Sequence, residues 1–392
     1  MWQSLHDAWW RLATQTHPQS FSDACACRVL QTGSVAYRAA VTVRNAAYDR
    51  GWLKPVRLPC RVVSVGNLTV GGTGKTACVE LLANKLLATG KRVVVLSRGY
   101  GGARRAYWLR WEAGRLTVDG QDHAAHDGLA PFESSRAIRT GLADEPQLLA
   151  RHLAGVPVVI GRRRDLAGQL ACREFTPDVV ILDDGFQHRR LARDCEIVLI
   201  HARMPFDGWA LLPRGPMREP MSALSRAHIL MITKADEALE TLGALRERLH
   251  ALNPDAVLVT AVHEPIGLLD VMTGQRRAPG ELSGLRVGLL SSIGDPQGFE
   301  ATVGRLAASV LWHQRYPDHH PYDAADWAAL VERSAGIRPD AIVTTEKDWV
   351  RLQPFAMDRE SLRVPLCILE VRITVQTGDD VLDARLAGLW AR

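Results

Sequence analysis

The sequence predicts an α/β fold: a mostly parallel β-sheet with helices on both of its faces. Three observations predict it. From Pro59 onward, short runs rich in β-branched residues alternate with turns and helical patterns. The runs are continuously apolar, as expected for strands that helices cover on both sides. A glycine-rich loop at 69–76 joins the first run to the first helical pattern, at 77–89.

The strand runs fall into two groups, separated by a Gly/Pro/Arg-rich connection at 273–284. The first group lies at 61–65, 92–97, 156–160, 178–182, 196–200, 229–233 and 257–260, and the second at 286–290, 341–345 and 365–371. A polar stretch at 102–141 interrupts the pattern, and we interpret it as an insertion or a hairpin. At 392 residues the chain also exceeds the usual size of one core. We predict an N-terminal segment at 1–57, a core at 58–272 and a smaller C-terminal α/β lobe at 285–392.

The composition limits the classes of function. Hydrophobic residues make up 47% of the chain and charged residues 23%, which is typical of a globular protein. The net charge of +5 fits an anionic substrate or a membrane surface, but it is too small to indicate nucleic-acid binding. The seven cysteines form no CxxC pair and no zinc spacing, so we expect reduced thiols in a cytosolic setting. No feature indicates an obligate protein partner.

The N-terminal segment indicates a membrane surface. Up to residue 57 it carries seven Lys and Arg residues against three Asp residues. Trp2, Leu5, Trp9 and Leu12 recur at helical spacing and form an apolar stripe. Such a stripe, bordered by cations, suits the interface of an anionic bilayer; the alternative is a helix that packs on the protein's own core. We expect no spanning helix and no cleaved signal peptide, because no run of 18 apolar residues occurs and the N-terminus lacks the signal-peptide pattern.

The glycine-rich loop has the composition and the context of a phosphate-binding loop. It reads Thr69-Val70-Gly71-Gly72-Thr73-Gly74-Lys75-Thr76. Glycines let backbone N–H groups turn toward phosphate oxygens, Lys75 can reach the β- and γ-phosphates, and the Thr76 hydroxyl suits Mg²⁺. Thr69 stands where the first glycine of the pattern usually lies. We predict a P-loop NTPase-type core that uses ATP and Mg²⁺.

Further polar residues leave the predicted sheet at the same edge. Asp183 and Asp184 follow the run at 178–182, where an acidic residue of a P-loop enzyme holds the metal or its water. Arg218 can neutralise charge on a transferred phosphoryl group, and Glu219 can support the metal or a nearby cation. For Arg218 and Glu219 a plain surface ion pair remains the alternative.

A kinase that phosphorylates a hydroxyl group also needs a base or hydrogen-bond acceptor close to that hydroxyl. Asp144, which precedes Glu145 and Pro146, is one candidate, and His319, which precedes His320, is another. Each is weak alone. An acid before Glu-Pro is often a helix cap, and an exposed pair of histidines often has no function.

Together these motifs resemble one family, the tetraacyldisaccharide 4′-kinases of lipid A biosynthesis in Gram-negative bacteria. The resemblance covers nearly the whole chain. It rests on SVGNLTVGGTGKT at 64–76, SRGYG at 97–101, DEP at 144–146, LDDGFQH at 182–188, LPRGPMREP at 212–220, DHH at 318–320 and TEKD at 345–348. The chain departs from the family at Ala143, where a glycine normally stands, and in the stretch at 103–141.

The resemblance implies transfer of the γ-phosphate of ATP to the 4′-hydroxyl of a tetraacylated glucosamine disaccharide 1-phosphate, giving the lipid A precursor lipid IVA. It implies a peripheral or monotopic protein on the cytoplasmic face of the inner membrane. It assigns Asp144 as the base, His319 as its partner, and Lys75 and Arg218 as phosphate-binding catalytic groups. Whether His319 or His320 matches the family's histidine stays open. The implied Mg²⁺ ligands are Thr76, Asp183, Asp184 and Glu219.

Two other classes of protein remain as alternatives. A regulatory GTPase would use Thr233-Lys234-Ala235-Asp236, which mimics the TKxD pattern whose aspartate recognises guanine. A P-loop protein for metal insertion or scaffolding would bind nucleotide without transferring phosphate to an acceptor. Nucleotide preference separates the first from a kinase, and acceptor-dependent release of ADP separates the second.

Overall fold

The computed structural model describes residues 9, 12–13, 20–98, 106–113, 115–119, 121–123, 144–203, 210–356 and 361–391. The strands are β1 Arg61–Asn67, β2 Val93–Ser97, β3 Tyr107–Glu112, β4 Arg115–Val118, β5 Gln121–His123, β6 Val158–Ile160, β7 Val179–Asp183, β8 Cys195–His201, β9 Ile229–Thr233, β10 Val257–Asp270, β11 Arg276–Arg277, β12 Arg286–Ser291, β13 Ser309–Arg315, β14 Ala341–Thr344 and β15 Leu366–Thr377. The helices are α1 Phe21–Asp49, α2 Lys75–Ala88, α3 Asp144–His152, α4 Arg164–Phe175, α5 Leu239–Leu252, α6 Pro296–Arg305, α7 Ala324–Ile337, α8 Glu346–Leu352 and α9 Asp379–Ala387.

The strands of the described ranges form one mixed sheet of 15 strands. Its order is β13-β12-β14-β15-β10-β9-β8-β1-β7-β2-β6-β3-β4-β5, and β11 pairs with β10. The six central strands β9, β8, β1, β7, β2 and β6 are parallel to one another. Their carboxyl ends therefore open at a single edge of the sheet, where ligands bind in such folds. The predicted α/β fold with a mostly parallel sheet is confirmed.

Helices cover both faces of this sheet. Neighbouring residues of one strand point to opposite sides, so a continuously apolar strand needs a helix on each side to bury all of its side chains. Val63 on β1 packs with Leu82 of α2 and Leu149 of α3 in one cluster of buried side chains. Val62, the preceding residue, belongs to the cluster on the opposite face that includes Ala167 of α4. Fully burying one Val or Leu side chain contributes roughly 1.5–3 kcal/mol, so these layers hold the loops at the strand ends on a rigid base.

Two parts of the sheet differ in detail from the sequence pattern. The stretch interpreted as an insertion or hairpin contributes β3, β4 and β5, which pair antiparallel with one another at one end of the sheet. Strand β10 continues to Asp270, well beyond its predicted end at Thr260. A register shift between Pro265 and Gly267 accommodates the proline inside the ladder. Polar residues and this proline interrupt the apolar run, and for this reason the strand predicted from the sequence was too short.

The length of β10 links the two groups of predicted strands. Its first five residues, 257–261, pair in parallel with β9, and most of its length pairs antiparallel with β15 of the C-terminal part. One continuous hydrogen-bonded ladder thus crosses from the core to the C-terminal strands. The division into a segment at 1–57, a core at 58–272 and a lobe at 285–392 stays a prediction.

The N-terminal segment contains the 29-residue helix α1, which Ser20 caps by accepting a hydrogen bond from the Asp23 backbone N–H. One face of α1 packs on the protein, where the Ser34 hydroxyl donates to the Leu211 carbonyl over 2.6 Å. Of the predicted stripe, Trp2 and Leu5 lie outside the described residues. The Trp9 indole donates to the Pro213 carbonyl over 2.6 Å, so Trp9 contacts the protein itself. None of the helices in the described ranges combines the length and apolar character that a membrane span requires.

Candidate active site

The glycine-rich loop at 69–76 lies at the carboxyl end of β1 and leads into the N-terminus of α2. Gly71 and Gly74 adopt φ angles of 105° and 82°, in a region that side chains disfavour. A Cβ atom on Gly74 would also lie 2.7 Å from Nε2 of His263. The Asn67 side-chain amide donates to the Thr73 hydroxyl over 2.9 Å and holds the loop closed. Backbone N–H groups at such a helix N-terminus are suited to phosphate oxygens.

Two contacts from distant parts of the chain support this loop, and the sequence pattern predicted neither. The Thr233 hydroxyl, at the end of β9, donates to the Thr73 carbonyl over 3.2 Å. Gly294, in the C-terminal part, lies so close that a Cβ atom on it would be 2.5 Å from the Gly72 backbone nitrogen. The C-terminal part therefore packs directly on the phosphate-binding loop.

Lys75 lies among the acidic side chains at the end of β7. Its ammonium group is 3.4 Å from the Asn67 side-chain oxygen and 3.8 Å from Asp184. Burial lowers the pKa of Lys75, whereas the Asp184 carboxylate acts to raise it. The charged form of a lysine in this environment is stabilised further when a negatively charged group, such as a phosphate, enters the cleft.

Asp183 and Asp184 are neighbours in the chain but have opposite environments. Asp183 is buried, accepts a hydrogen bond from the Ser97 hydroxyl over 3.2 Å, and has a pKa raised to about 6 by burial and by the carboxylates of Glu145 and Asp184. Asp184 accepts two hydrogen bonds from the Arg218 guanidinium, over 2.9 and 2.7 Å. Burial acts to raise the pKa of Asp184, but Arg218 outweighs it and holds this pKa well below its usual range.

The donor set of this corner fits Mg²⁺. Asp183, Asp184 and Thr76 line the same cleft and offer only oxygen atoms, which Mg²⁺ prefers. Burial, and then the carboxylates of Glu145 and Asp184, raise the pKa of Asp183, and a divalent cation would compensate the negative charge gathered here.

A second group of possible ligands is less suitable. Within the described residues, His201, Glu237 and Asp295 are the one such group with ligand atoms within 4.8 Å of one another. Arg203 already pairs with Glu237 over 2.6 Å and with Asp295 over 2.8 Å, and Lys234 pairs with Asp295 as well. These cations neutralise the carboxylates, so the cluster holds the C-terminal part against the core without a metal.

Glu219 is not brought together with the other predicted metal ligands. It is fully buried, and its two oxygens accept hydrogen bonds from Arg44 over 2.5 Å and from Asn45 over 2.8 Å, both on α1. Arg226 adds a third contact of 3.3 Å. Arg218, the preceding residue, does reach the cleft and binds Asp184. The metal role of Glu219 stays a prediction that these contacts do not support, because α1 binds both of its oxygens and it does not line the cleft.

Asp144 is the first residue of α3, at the edge where β6, β2 and β7 end, and its side chain lies outside what the structure describes. Glu145 and Pro146 line the cleft. The Glu145 carboxylate is 2.6 Å from the Lys347 ammonium of α8, which holds the pKa of Glu145 down at about 2. The helix that carries Asp144 is thus tied to the C-terminal part.

The two neighbouring histidines have different surroundings. His319 lines the cleft, has a φ angle of 62°, and its Nδ1 lies 2.9 Å from the Arg351 guanidinium. His320 points into a packed aromatic group, where it stacks on Tyr316 at 4.3 Å and pairs with Asp326 over 2.8 Å. Of the two histidines, His319 is therefore the one that is exposed and faces the cleft, whereas His320 is buried.

A second contact across the cleft is also absent from the sequence pattern. His152 on α3 lies 2.8 Å from Glu80 on α2 and 2.7 Å from Glu346 on α8. Burial acts to lower the pKa of His152, but hydrogen bonds with Glu346 and Glu80 outweigh it and raise this pKa to about 10. His152 is therefore a cation at neutral pH. The sequence marked the TEKD block at 345–348 as a motif, but it did not indicate that Glu346 and Lys347 of this block would contact His152 and Glu145.

These groups surround one cleft of about 1480 Å³ between the core and the C-terminal part. The phosphate-binding loop, Asp183, Asp184 and Arg218 line one side, and Asp318, His319 and Lys347 line the other. The volume exceeds that of a typical small-molecule site, so it has room for a nucleotide and for part of a second substrate.

The TKxD-like segment is engaged differently from a guanine-reading motif. Lys234 pairs with Asp295, and Asp236 pairs with Arg305 of α6 over 3.3 Å. Both side chains bind the C-terminal part of the protein. This geometry does not favour the GTPase alternative.

Comparisons with known proteins agree with this geometry. Residues 26–389 match the family model described as tetraacyldisaccharide-1-P 4′-kinase. Relatives named tetraacyldisaccharide 4′-kinase occur in Syntrophus aciditrophicus, with 39% identity over 355 residues (89% of this chain and 89% of that protein), and in Anaeromyxobacter dehalogenans strain 2CP-C, with 40% identity over 387 residues (98% and 94%). Among solved structures, the LpxK protein of Aquifex aeolicus in complex with ATP matches with a TM-score of 0.64 at 28% identity, over 93% of this chain and 99% of that chain.

Proposed function

The chain belongs to the tetraacyldisaccharide-1-P 4′-kinase family, and on that premise we propose that it transfers the γ-phosphate of ATP to the 4′-hydroxyl of a tetraacylated glucosamine disaccharide 1-phosphate. One observation carries this proposal most directly. A single cleft is lined on one side by the phosphate-binding loop with Asp183, Asp184 and Arg218, and on the other by His319. The phosphate donor, ATP, and the acceptor hydroxyl can therefore meet inside this cleft.

At the donor side, the backbone N–H groups of the loop and the Lys75 ammonium bind the β- and γ-phosphates. Arg218, held by Asp184, supplies charge to the transferred phosphoryl group. Thr76, Asp183 and Asp184 would hold Mg²⁺, which when bound neutralises charge on the phosphate oxygens. Because Lys75 and Arg218 are already positioned by carboxylates, little reorganisation is needed when charge develops.

At the acceptor side, Asp144 is the base and His319 its partner. The 4′-hydroxyl oxygen forms a bond to the γ-phosphorus while the bond from this phosphorus to the β–γ bridging oxygen breaks, and ADP leaves. Asp144 takes the hydroxyl proton. Asp144 at the start of α3 and His319 in the C-terminal part belong to opposite sides of the cleft, and the Glu145–Lys347 pair supports their approach.

The roles at the acceptor side can be tested kinetically. Asp144→Asn should lower kcat by a hundred-fold or more and leave KM for ATP nearly unchanged, since a base acts in the transition state. The matched control is Asp119→Asn, which removes an acid from the turn after β4, outside the cleft. A pure defect in ATP binding would move Asp144 to the donor side and would contradict its role as the base.

The acyl chains hold the acceptor in a bilayer, so the protein must bind the membrane surface to reach it. Helix α1 offers a surface for this binding. Its outward-facing stripe recurs every three or four residues, is free of charged side chains, and consists of Phe21, Cys25, Val29, Thr32, Ala36, Ala39 and Val43, all exposed. Phe21 is 86% exposed and Val29 73%. The exposed cations Arg28 and Arg38 flank the stripe. We propose that this face lies in the headgroup region of an anionic bilayer, on the cytoplasmic side of the inner membrane.

A further inference from the structure

His319 has a cationic neighbour whose chemistry restricts it. The Arg351 Nη2 atom of α8 lies 2.9 Å from His319 Nδ1. A guanidinium group has five N–H donors and no acceptor, so Nδ1 must be the acceptor of this hydrogen bond. A neutral imidazole that accepts at Nδ1 carries its proton on Nε2.

Arg351 is itself held by a buried network. It is 8% exposed, and its Nη1 donates to the Ser292 hydroxyl over 3.2 Å. The Ser292 backbone N–H donates to the Asp348 carboxylate over 2.9 Å, and the Tyr322 hydroxyl donates to the same oxygen over 3.2 Å. Asp348 is fully buried. Asp348 of the TEKD block thus fixes Ser292, which in turn holds Arg351.

The backbone of His319 is anchored to the same network. Its φ angle of 62° lies in the left-handed region, which is uncommon for a residue other than glycine. Its backbone N–H donates to the Ser292 carbonyl over 3.2 Å. Ring and backbone are therefore both tied to Ser292, directly or through Arg351.

We infer that Arg351 is a positioning residue that fixes the neutral ring of His319 as its Nε2–H tautomer. The charged groups that face this ring include Arg351 at Nδ1, Asp318 at 3.9 Å from Nε2, and Glu145 across the cleft. With Nδ1 occupied, the ring offers a donor, Nε2–H, on its other side. A donor there orients the carboxylate of a neighbouring base and favours its ionised form, ready for the substrate proton. The inference rests on the proposed role of His319 as partner of Asp144.

The tautomer can be measured without turnover. In protein labelled with ¹⁵N-histidine, long-range ¹H–¹⁵N correlations distinguish a protonated from an unprotonated ring nitrogen, and His319→Gln assigns the signals among the 13 histidines. At pH 8, wild type should show Nε2 protonated and Nδ1 unprotonated. Arg351→Lys, which still has only donors, should keep this pattern. Arg351→Met should move the His319 signals toward those of free histidine. A protonated Nδ1 in wild type would overturn the inference.

Kinetics provide the second readout. Arg351→Met should lower kcat about ten-fold or more with KM for ATP unchanged, and Arg351→Lys should retain most of the activity, as expected for the loss and retention of an orienting partner. Equal losses in Arg351→Lys and Arg351→Met, with the tautomer unaltered in both, would also overturn it. Full turnover in His319→Gln would instead contradict the proposed role of His319, while the wild-type spectrum still decides the tautomer. The wild-type measurement does not depend on whether Arg351→Met folds.

Discussion

Glu145 and Lys347 form an ion pair of 2.6 Å across the cleft, although 202 residues separate them in the chain. The pair joins the first turn of α3 to the first turn of α8, and it lies one residue from Asp144. It therefore couples the position of Asp144 to the C-terminal part of the protein, which also carries His319.

Reversing one charge of this pair tests the coupling. Lys347→Glu should lower kcat more than ten-fold, because two carboxylates then repel each other beside Asp144. The double variant Lys347→Glu/Glu145→Lys restores an attractive pair and should recover a substantial part of the loss. Arg246→Glu, the same charge change on the exposed face of α5, is the control. Steady-state kinetics at saturating ATP measure kcat of each variant. A kcat of the double variant no higher than that of Lys347→Glu would argue against the coupling.

Lys75 is expected to be essential for turnover but not for folding. Lys75→Ala should remove at least 99% of the activity, on the order of 3 kcal/mol of transition-state stabilisation, because Lys75 contributes charge to the phosphates and little to the core. Its thermal unfolding should stay close to that of wild type. Lys91→Ala, which removes a lysine outside the cleft, should turn over normally. Near-normal activity of Lys75→Ala would remove the basis for the nucleotide site.

Asp183 and Asp184 should affect stability with opposite signs at pH 7.5 without Mg²⁺. The pKa of Asp183 is raised to about 6, so the folded state binds more protons than the unfolded state between pH 4 and 6, and stability falls as pH rises through that window. Asp183→Asn should therefore be more stable than wild type at pH 7.5, by on the order of 2–3 kcal/mol. This variant should be inactive.

Asp184 is the matched comparison. Its pKa is depressed, so its ionised form contributes stability that is present at neutral pH and lost as pH falls through the folded-state pKa. Asp184→Asn leaves Arg218 and Lys75 with less compensating charge and should be less stable than wild type. Urea unfolding of both variants measures these differences. Destabilisation of both to a similar extent would contradict the opposite environments of the two carboxylates.

Membrane binding should depend on the outer face of α1. Changing Phe21, Val29 and Val43 together to Ser should release the protein from anionic vesicles and slow turnover of vesicle-bound substrate more than of detergent-dispersed substrate. Leu239→Ser/Ile337→Ser removes exposed apolar side chains elsewhere and serves as the control. Trp2→Ser/Leu5→Ser tests the stripe predicted at the N-terminus. Full sedimentation of the α1 variant with vesicles would show that this face does not bind lipid.

The parts of the site whose chemistry is local could be predicted from the sequence. The loop at 69–76 was recognisable because a glycine-rich turn that ends in Lys-Thr between a buried strand and a helix is typical of a phosphate site. The acidic end of β7 was recognisable because two adjacent acids seldom follow a buried strand. Most of the parallel strands were located to within a few residues, since a continuously apolar run has one stable environment. Strands β10 and β15 extend further than predicted, and β13 was not predicted. The continuation of β10 to Asp270 was missed, because polar residues and Pro265 interrupt its apolar run.

The contacts across the cleft could not be predicted, because they join residues far apart in the chain. Nothing in the sequence near Lys347 indicates Glu145 as its partner, and nothing near Glu219 indicates that Arg44 and Asn45 of α1 would neutralise it. The different surroundings of His319 and His320 likewise could not be predicted, because they depend on how each ring packs in the fold. Long-range pairing follows from the fold, not from local pattern.

The most direct measurement is the identity of the product. Purified protein is incubated with ATP, Mg²⁺ and the tetraacylated disaccharide 1-phosphate, and the product is analysed by mass spectrometry and by ³¹P NMR, with Lys75→Ala as the inactive control. The account predicts one ADP released per disaccharide, the gain of one phosphate, and a new phosphorus signal coupled to the proton at the 4′ position. Release of ADP at the same rate without the disaccharide, or phosphate at another position, would contradict it.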